Sequence, residues 1–364
     1  MKYECKPEDY EIVSLLGRCC GQIGIVLLAK HKQKTLVAVK KFDLEKADHK
    51  DVLQIQKEIL ITQQLRHNNI LSYECCFVDN QSVCVVSELC GYGSCTDLIA
   101  SHFPDGLPEL AICLILRDVL NGLAYIHKKG IIHRALRASH ILITANGKAM
   151  ITGFRYAVQM IENGKWKKCL HCFPTSTSVN LNWLSPELLE QTLEGYNEKS
   201  DIYSVGITAA ELANGCVPFS DVSATLMLTE KVRGCAPQLI DRTTYPIFDN
   251  KDASDNNHID CTVAPPQNCA KANRAFSESF HQFTDLCLLR DHYIRPSAQQ
   301  LLNHTFFKQL KQKPGPNVMN ELLHPVMPLC DESISADTDD LNTILANSDK
   351  MAEININNID WNFT

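Results

Sequence analysis

The short apolar run Val37-Ala38-Val39-Lys40 ends on a lysine, and a later stretch of helical periodicity carries an acidic residue, Glu58. A strand lysine held by a helical glutamate is suited to gripping the α- and β-phosphates of a nucleotide, the ammonium as a point charge and the carboxylate as its positioner. Just upstream lies Cys19-Cys20-Gly21-Gln22-Ile23-Gly24-Ile25-Val26. Gly21 and Gly24 would let backbone approach phosphate closely. Two alignments to G-x-G-x-x-G-x-V are open: Cys19 replaces the first glycine, or Gly17 is that glycine with two residues inserted. Further along, Glu88 and Cys90 follow a small Ser87 where backbone groups could read an adenine edge, with Val26, Ala38 and Leu142 to sandwich its ring.

The groups that would complete phosphoryl transfer are missing. The pattern H-R-D-L-K-x-x-N supplies an Asp to take the hydroxyl proton and an Asn to bind magnesium. This chain reads His133-Arg134-Ala135-Leu136-Arg137-Ala138-Ser139-His140. Ala135 takes no proton, and His140 is a poor ligand for an ion that prefers hard oxygens. Where D-F-G should place the main magnesium ligand stands Gly153-Phe154-Arg155. Base and both metal ligands are therefore lost together, and little or no transfer is expected. Their replacements are cationic, and Arg155 could neutralise phosphate without a metal. The expectation is a structural ATP held without magnesium; the alternative is that Arg155 pairs with a nearby carboxylate in a nucleotide-free cleft.

The elements that must position these residues follow from periodicity. Strands are expected at Tyr10–Leu16, Ile25–Ala29, Thr35–Val39, Tyr73–Val78 and Val83–Ser87, with a helix from Asp51 to about Leu65. After Gly91 the pattern is helical, at Pro108–Lys129, Asp201–Gly215 and Phe280–Leu310. The chain thus divides into a tail (1–9), a β-rich lobe (10–89), a larger helical lobe (90–310) and a C-terminal tail (311–364). From about 235 to 277 periodicity fails, and an insertion or loop is expected. A net charge of -7 gives no basic footprint for nucleic acid. No apolar run reaches membrane-spanning length, and the first residues do not read as a signal peptide. The 17 cysteines, odd in number and partly in adjacent pairs, suit reduced thiols in the cytosol or nucleus. Cys169-Leu170-His171-Cys172 has metal-like spacing without a second matching pair, so no metal site is assigned.

The order Lys40, Glu58, His133-Arg134, Ser185-Pro186-Glu187 and Asp201-Ile202-Tyr203-Ser204-Val205-Gly206 resembles protein kinases. The fold expected is two-lobed α+β. Asp201 and a Glu187–Arg295 ion pair would then hold the large lobe. Closer still, Arg137-Ala138-Ser139-His140-Ile141-Leu142-Ile143, Gly153-Phe154-Arg155, Trp183-Leu184-Ser185-Pro186-Glu187 and Glu211-Leu212-Ala213-Asn214-Gly215 resemble the STE20-related adaptor pseudokinases. That resemblance implies an inactive kinase fold, closed as if active, that binds a Ser/Thr kinase of the liver tumour-suppressor type as a pseudosubstrate and switches it on. Docking would use the segment from Phe173 to Trp183. It also implies a helical-repeat scaffold protein that captures a C-terminal Trp-Glu-Phe, for which this chain offers Trp361-Asn362-Phe363-Thr364. A cytoplasmic location, with the nucleus as a second compartment, is expected on the same ground. Two classes compete with the adaptor: a nucleotide-free scaffold and an active kinase with substitute residues.

Overall fold

A computed structural model describes residues 6–21, 23–33, 35–173, 178–244, 270–312 and 317–330. Five antiparallel strands build the first lobe: β1 (Tyr10–Cys19), β2 (Gly24–His31), β3 (Leu36–Asp43), β4 (Tyr73–Asp79) and β5 (Ser82–Glu88), in the order β1-β2-β3-β5-β4. Alternation along β3 explains its two faces. Val37 and Val39 pack with Tyr10, Ala29, Cys75, Cys84 and Val86 on one side. Phe42 lies on the other side with Ile55, Tyr73 and Val85. Lys40 shares that second face, its Nζ 4.9 Å from the Phe42 ring centroid.

Helix α1 (His49–Gln63) covers the second face. Its start is fixed by Asp48, whose carboxylate accepts the Asp51 N–H at 2.7 Å, the N-cap arrangement that satisfies an otherwise unbonded donor. Ile55, Glu58, Ile61 and Thr62 are its buried residues, spaced to share one face. Glu58 is thus the one carboxylate that the helix turns into the lobe.

The larger lobe is assembled around α3 (Glu109–Lys128) and α5 (Lys199–Asn214), after the short β6 (Gly93–Ser94) and α2 (Cys95–His102). The hairpin of β8 (Ile141–Ile143) and β9 (Ala149–Ile151), preceded by the two-residue β7 (Ile131–Ile132), carries the loops that face the cleft. By length and composition α3 could cross a membrane, which the sequence reading had excluded for every run. Its apolar face is instead spent on the core with Ile202, Val205, Phe280 and Phe306. Short α4 (Pro186–Glu190) and α6 (Ala224–Arg233) complete the side below the cleft.

Both described ends of the expected insertion are folded onto this lobe. Leu239 is buried, the Asp241 carboxylate accepts the Phe276 N–H at 2.8 Å, and Arg274 Nε donates to Ile240 O at 2.7 Å. The C-terminal segment also returns to the body of the protein. Met319 and Leu323 are buried, and Leu329 N–H donates to Gly91 O in the inter-lobe connection at 2.9 Å. Trp361 and Phe363 lie outside the described residues.

Candidate nucleotide cleft and docking segment

The sequence-predicted pair is formed. Lys40 Nζ lies 2.7 Å from Glu58 Oε1, and Tyr73 O–H donates to the same oxygen at 2.6 Å. Burial alone would pull the Lys40 ammonium down, but the Glu58 carboxylate outweighs it and holds the lysine well above its usual pKa. Burial likewise opposes ionisation of Glu58, yet Lys40 and Tyr73 keep it below the usual carboxylate value. The two partners agree: the pair is ionised. Glu58 Oε2 is buried and has no hydrogen-bond partner among the described residues.

The β1–β2 register settles the glycine-rich loop. Cys19 pairs with Gly24 across the hairpin and Gly17 pairs with Val26 further back in the strands. Cys19 therefore stands at the first-glycine position, and Gly17 is a strand residue. A Cβ on Gly24 would lie 2.6 Å from Cys19 Sγ, so the thiol rests directly over this glycine. Cys19, Cys20 and Ile23 pack with Phe42, Ile55 and Ile59 on the face of the sheet that α1 covers.

At the other end, Ala38 pairs with Ser87 and Val37 with Glu88, so β3 leads directly to the connection between lobes. Glu88 is exposed, whereas Cys90 is buried against Leu71, Met150 and the half-buried Leu142. Met150, which the sequence reading did not single out, completes this apolar floor.

The degenerate positions form one packed unit. His140 Nδ1 lies 2.6 Å from Ala135 O, which fixes the proton on Nδ1. Burial, and then the neighbouring Arg137 charge, push the imidazole pKa well below its usual value, so the ring is neutral. Gly153 has φ 84°, and a Cβ there would lie 2.7 to 2.8 Å from three atoms of the His140 ring. Only glycine fits beside that imidazole. The residues do not fit magnesium: Ala135 and Gly153 offer no side-chain ligand, and the His140 nitrogen nearest the loop is committed to a carbonyl.

Arg155 departs from the expected position. Its Nε donates to Gln54 at 2.7 Å, and its Nη2 pairs with Asp51, both in the first turns of α1. The alternative of a nearby carboxylate is the one observed, and neither Asp51 nor Gln54 was foreseen. Arg155 Nη1 is buried, with no nitrogen or oxygen partner among the described residues. The Lys40 ammonium and the Arg155 guanidinium are the cations here that could face a nucleotide's phosphates.

The structural residues stand where expected. Asp201 accepts the backbone N–H groups of His133 and Arg134, each at 2.8 Å, and Glu187 pairs with Arg295 at 2.8 Å. Arg134 holds the residue that precedes the docking segment, donating to Cys172 O at 2.9 Å, and donates to Tyr196 O–H at 3.0 Å. Phe173 is half-buried, its ring 5.7 Å from that of Tyr196.

Trp183 requires a correction. It was expected on the docking surface, but its side chain is 8% exposed and packs with Tyr203, Ile207 and Leu288. Its indole N–H donates to Glu211 at 2.8 Å, Ser204 O–H donates to its carbonyl at 2.8 Å, and the Arg137 guanidinium lies 5.5 Å from its ring. Lys231 completes the clamp from α6. Its buried ammonium donates to Asn182 O at 2.6 Å and Leu184 O at 2.9 Å. The tryptophan shapes the segment from within.

Fold and cleft define a protein kinase domain, and the sequence matches that family over residues 10–307. More specifically, it is 41% identical to bovine STE20-related kinase adapter protein alpha over 333 residues, covering 88% of this chain and 89% of the bovine protein. The human alpha protein is 41% identical over 335 residues, covering 88% and 77% of the two chains. Human STE20-related kinase adapter protein beta is 36% identical over 328 residues, covering 86% and 78%. The chain belongs to the STE20-related kinase adapter family.

Proposed function

We propose that this chain is a catalytically inactive adaptor that binds a Ser/Thr protein kinase and favours its active form, with ATP as a structural ligand taken up without magnesium. The observation that carries the reading is the combination of an ionised Lys40–Glu58 pair with a His140–Gly153 contact that leaves no magnesium ligand. An active kinase needs both halves of this machinery; here the half that orders the lobes is kept. Nucleotide, when bound, would supply negative charge between the lobes and stabilise their arrangement by mass action. Lys40 and Arg155 would receive that charge. Val26, Ala38, Cys90, Leu142 and Met150 would enclose the base.

The partner reading rests on the relatives' names, which describe kinase adapters, and on the docking segment. Arg134, Lys231, Glu211 and Ser204 brace that segment through uncharged backbone groups, Tyr196 and the Trp183 indole. A substrate-like surface held this way could grip a partner's active conformation and shift its population. The proposed partner is a kinase of the liver tumour-suppressor type, and a helical-repeat scaffold would take Trp361 and Phe363.

The test is reconstitution of the full chain with such a kinase and scaffold. The partner's turnover should rise about tenfold or more, a coupling of ordinary allosteric size. The chain alone should transfer no γ-phosphate to a generic substrate, with magnesium or manganese. Unchanged partner turnover, or transfer by the chain itself, would overturn the reading.

A further inference from the structure

The stretch that leads into the docking segment carries a basic surface that neither the nucleotide nor the partner reading uses. After β10 (Val158–Gln159), which pairs with β7, strands β11 (Ile161–Glu162) and β12 (Lys165–Trp166) form a tight hairpin. Its turn is Asn163-Gly164, with φ 51° and 74°, the two positive angles that favoured two-residue hairpin turns require. Ile161 faces Trp166 across the ladder. Both rest on the end of α3: a Cβ on Gly130 would lie 2.7 Å from the Trp166 ring and 3.0 Å from Ile161 Cγ1. Met160 N–H donates to Gly130 O at 2.6 Å and Lys167 N–H to Met160 O at 2.8 Å, which fastens the hairpin at its base.

Held in this way, Trp166 is still 55% exposed and Ile161 40%. Lysines surround them. Lys165, Lys167 and Lys168 flank the indole, Lys128 and Lys129 precede the glycine on which it rests, and all five are exposed. Among the described residues only Lys167 has a carboxylate partner, Glu162 at 3.1 Å. In a chain of net charge -7 this is a locally uncompensated basic patch around a rigid aromatic anchor. Beside it runs a groove of about 400 Å³, lined by Ile161, Glu162, Lys167, Leu170, His171 and Cys172 among others.

Such a face fits an acidic segment that also carries apolar side chains. The chain has one in residues 331–345, outside the described residues. It holds Asp331, Glu332, Asp337, Asp339 and Asp340 with no lysine or arginine, and Leu341, Ile344 and Leu345 follow. It begins two residues past the Leu329 N–H that is bonded to Gly91, and its length allows a reach of up to about 50 Å. The other acidic stretch, from Asp249 to Asp260, includes Lys251 and lacks leucine. Its described flank is held at the opposite end of α3, where Arg274 bonds to Asp105 O and Ser277 to Glu109. A helix of 20 residues puts that end about 30 Å from Gly130. An anionic membrane would satisfy the lysines, but a flat surface does not enter the groove.

We propose that Trp166, Ile161 and the lysines at 128, 129, 165 and 168 form an intramolecular docking surface for the acidic segment 331–345, with its leucines and isoleucine against the indole and in the groove. Seated there, the segment covers the approach to Cys172 and Phe173. Competition with a kinase partner at that point rests on the adaptor reading above; the docking itself does not.

The test uses the full chain and a water-soluble carbodiimide, which joins a lysine amine to a carboxylate in contact with it. Products are read by peptide mass spectrometry. Links from Lys128, Lys129, Lys165 and Lys168 to carboxylates of 331–340 are expected, with the Lys41–Asp79 pair, 2.8 Å apart in the other lobe, as the internal reference. Trp166→Ala should lower those links about threefold or more. Lys165→Glu with Lys168→Glu, both on exposed side chains, should lower the links that remain at Lys128 and Lys129 about fivefold. Neither change should alter the reference. A mixture of unlabelled and isotope-labelled chain separates links within one molecule from links between two. The proposal is overturned by no link to 331–340, by links only to 249–260, by links between molecules, or by links that survive both sets of substitutions. Sedimentation with phosphatidylserine vesicles, lost in the lysine variant and accompanied by no link, would overturn it in favour of a membrane.

Discussion

His140 and Gly153 are coupled by volume, which makes the loss of metal binding hard to reverse. Gly153→Asp would put a Cβ within 2.8 Å of the imidazole on a backbone with φ 84°. Strain of that kind costs about 2–3 kcal/mol. Chemical denaturation should show that loss for the single variant, and His140→Asn in the same chain should recover about 1 kcal/mol or more. Strict additivity of the two substitutions would contradict the contact. Lys40→Met tests a different link. Glu58 is 1% exposed, and removing its cation leaves a buried carboxylate with Tyr73 alone, a loss of about 3 kcal/mol by denaturant titration. A loss under about 1 kcal/mol would mean that the pair is solvated.

Among the elements, the segment from Ser178 to Trp183 and the start of α4 depend on two buried titratable side chains that no local pattern announces. Lys231 sits on a short helix with mixed polarity, and only the fold turns it under Asn182 and Leu184. Lys231→Met should cost about 3 kcal/mol, because two buried carbonyls lose their donor. Glu211 is the second. Burial pushes its carboxyl up to about 7, against the hydrogen bonds from the Trp183 indole and Ala138 N–H and the nearby Arg137. The folded pKa is thus above the unfolded value of 4.5. Between these values the folded state binds more protons, so this group's contribution falls as pH rises from about 4.5 through 7. Glu211→Gln should flatten that slope by up to about 3 kcal/mol in denaturation midpoints measured from pH 5 to 8. An unchanged slope would place the proton elsewhere.

Across the whole molecule, what was legible in the sequence is what repeats with a short motif. Lys40, Glu58, Asp201 and the Glu187–Arg295 pair could be placed because strand, helix and loop signals surround each one. The two-lobed architecture followed from the change from period-two to helical patterning near Gly91. The burial of Trp183 was not legible, because an aromatic in a loop has no periodicity to give its direction. The pairing of Arg155 with Asp51 joins residues 104 positions apart in opposite lobes, and neither has a motif that names the other.

Those inter-lobe links bear on the proposed structural nucleotide, which would be held between the lobes without a metal. Asp51, Gln54 and Arg155 join α1 to the larger lobe on one side of the cleft, and Leu329 fastens to Gly91 at the connection behind it. The most direct measurement is the melting temperature of the full chain with saturating ATP, in EDTA and then with magnesium. Binding at about 100 times Kd stabilises by about 2.7 kcal/mol, which corresponds to a rise of a few degrees for a chain of this size. The same rise is expected in both conditions, and its loss in Lys40→Met. A rise that appears only with magnesium would contradict it, because the His140–Gly153 unit could not then be what the cleft presents to its ligand.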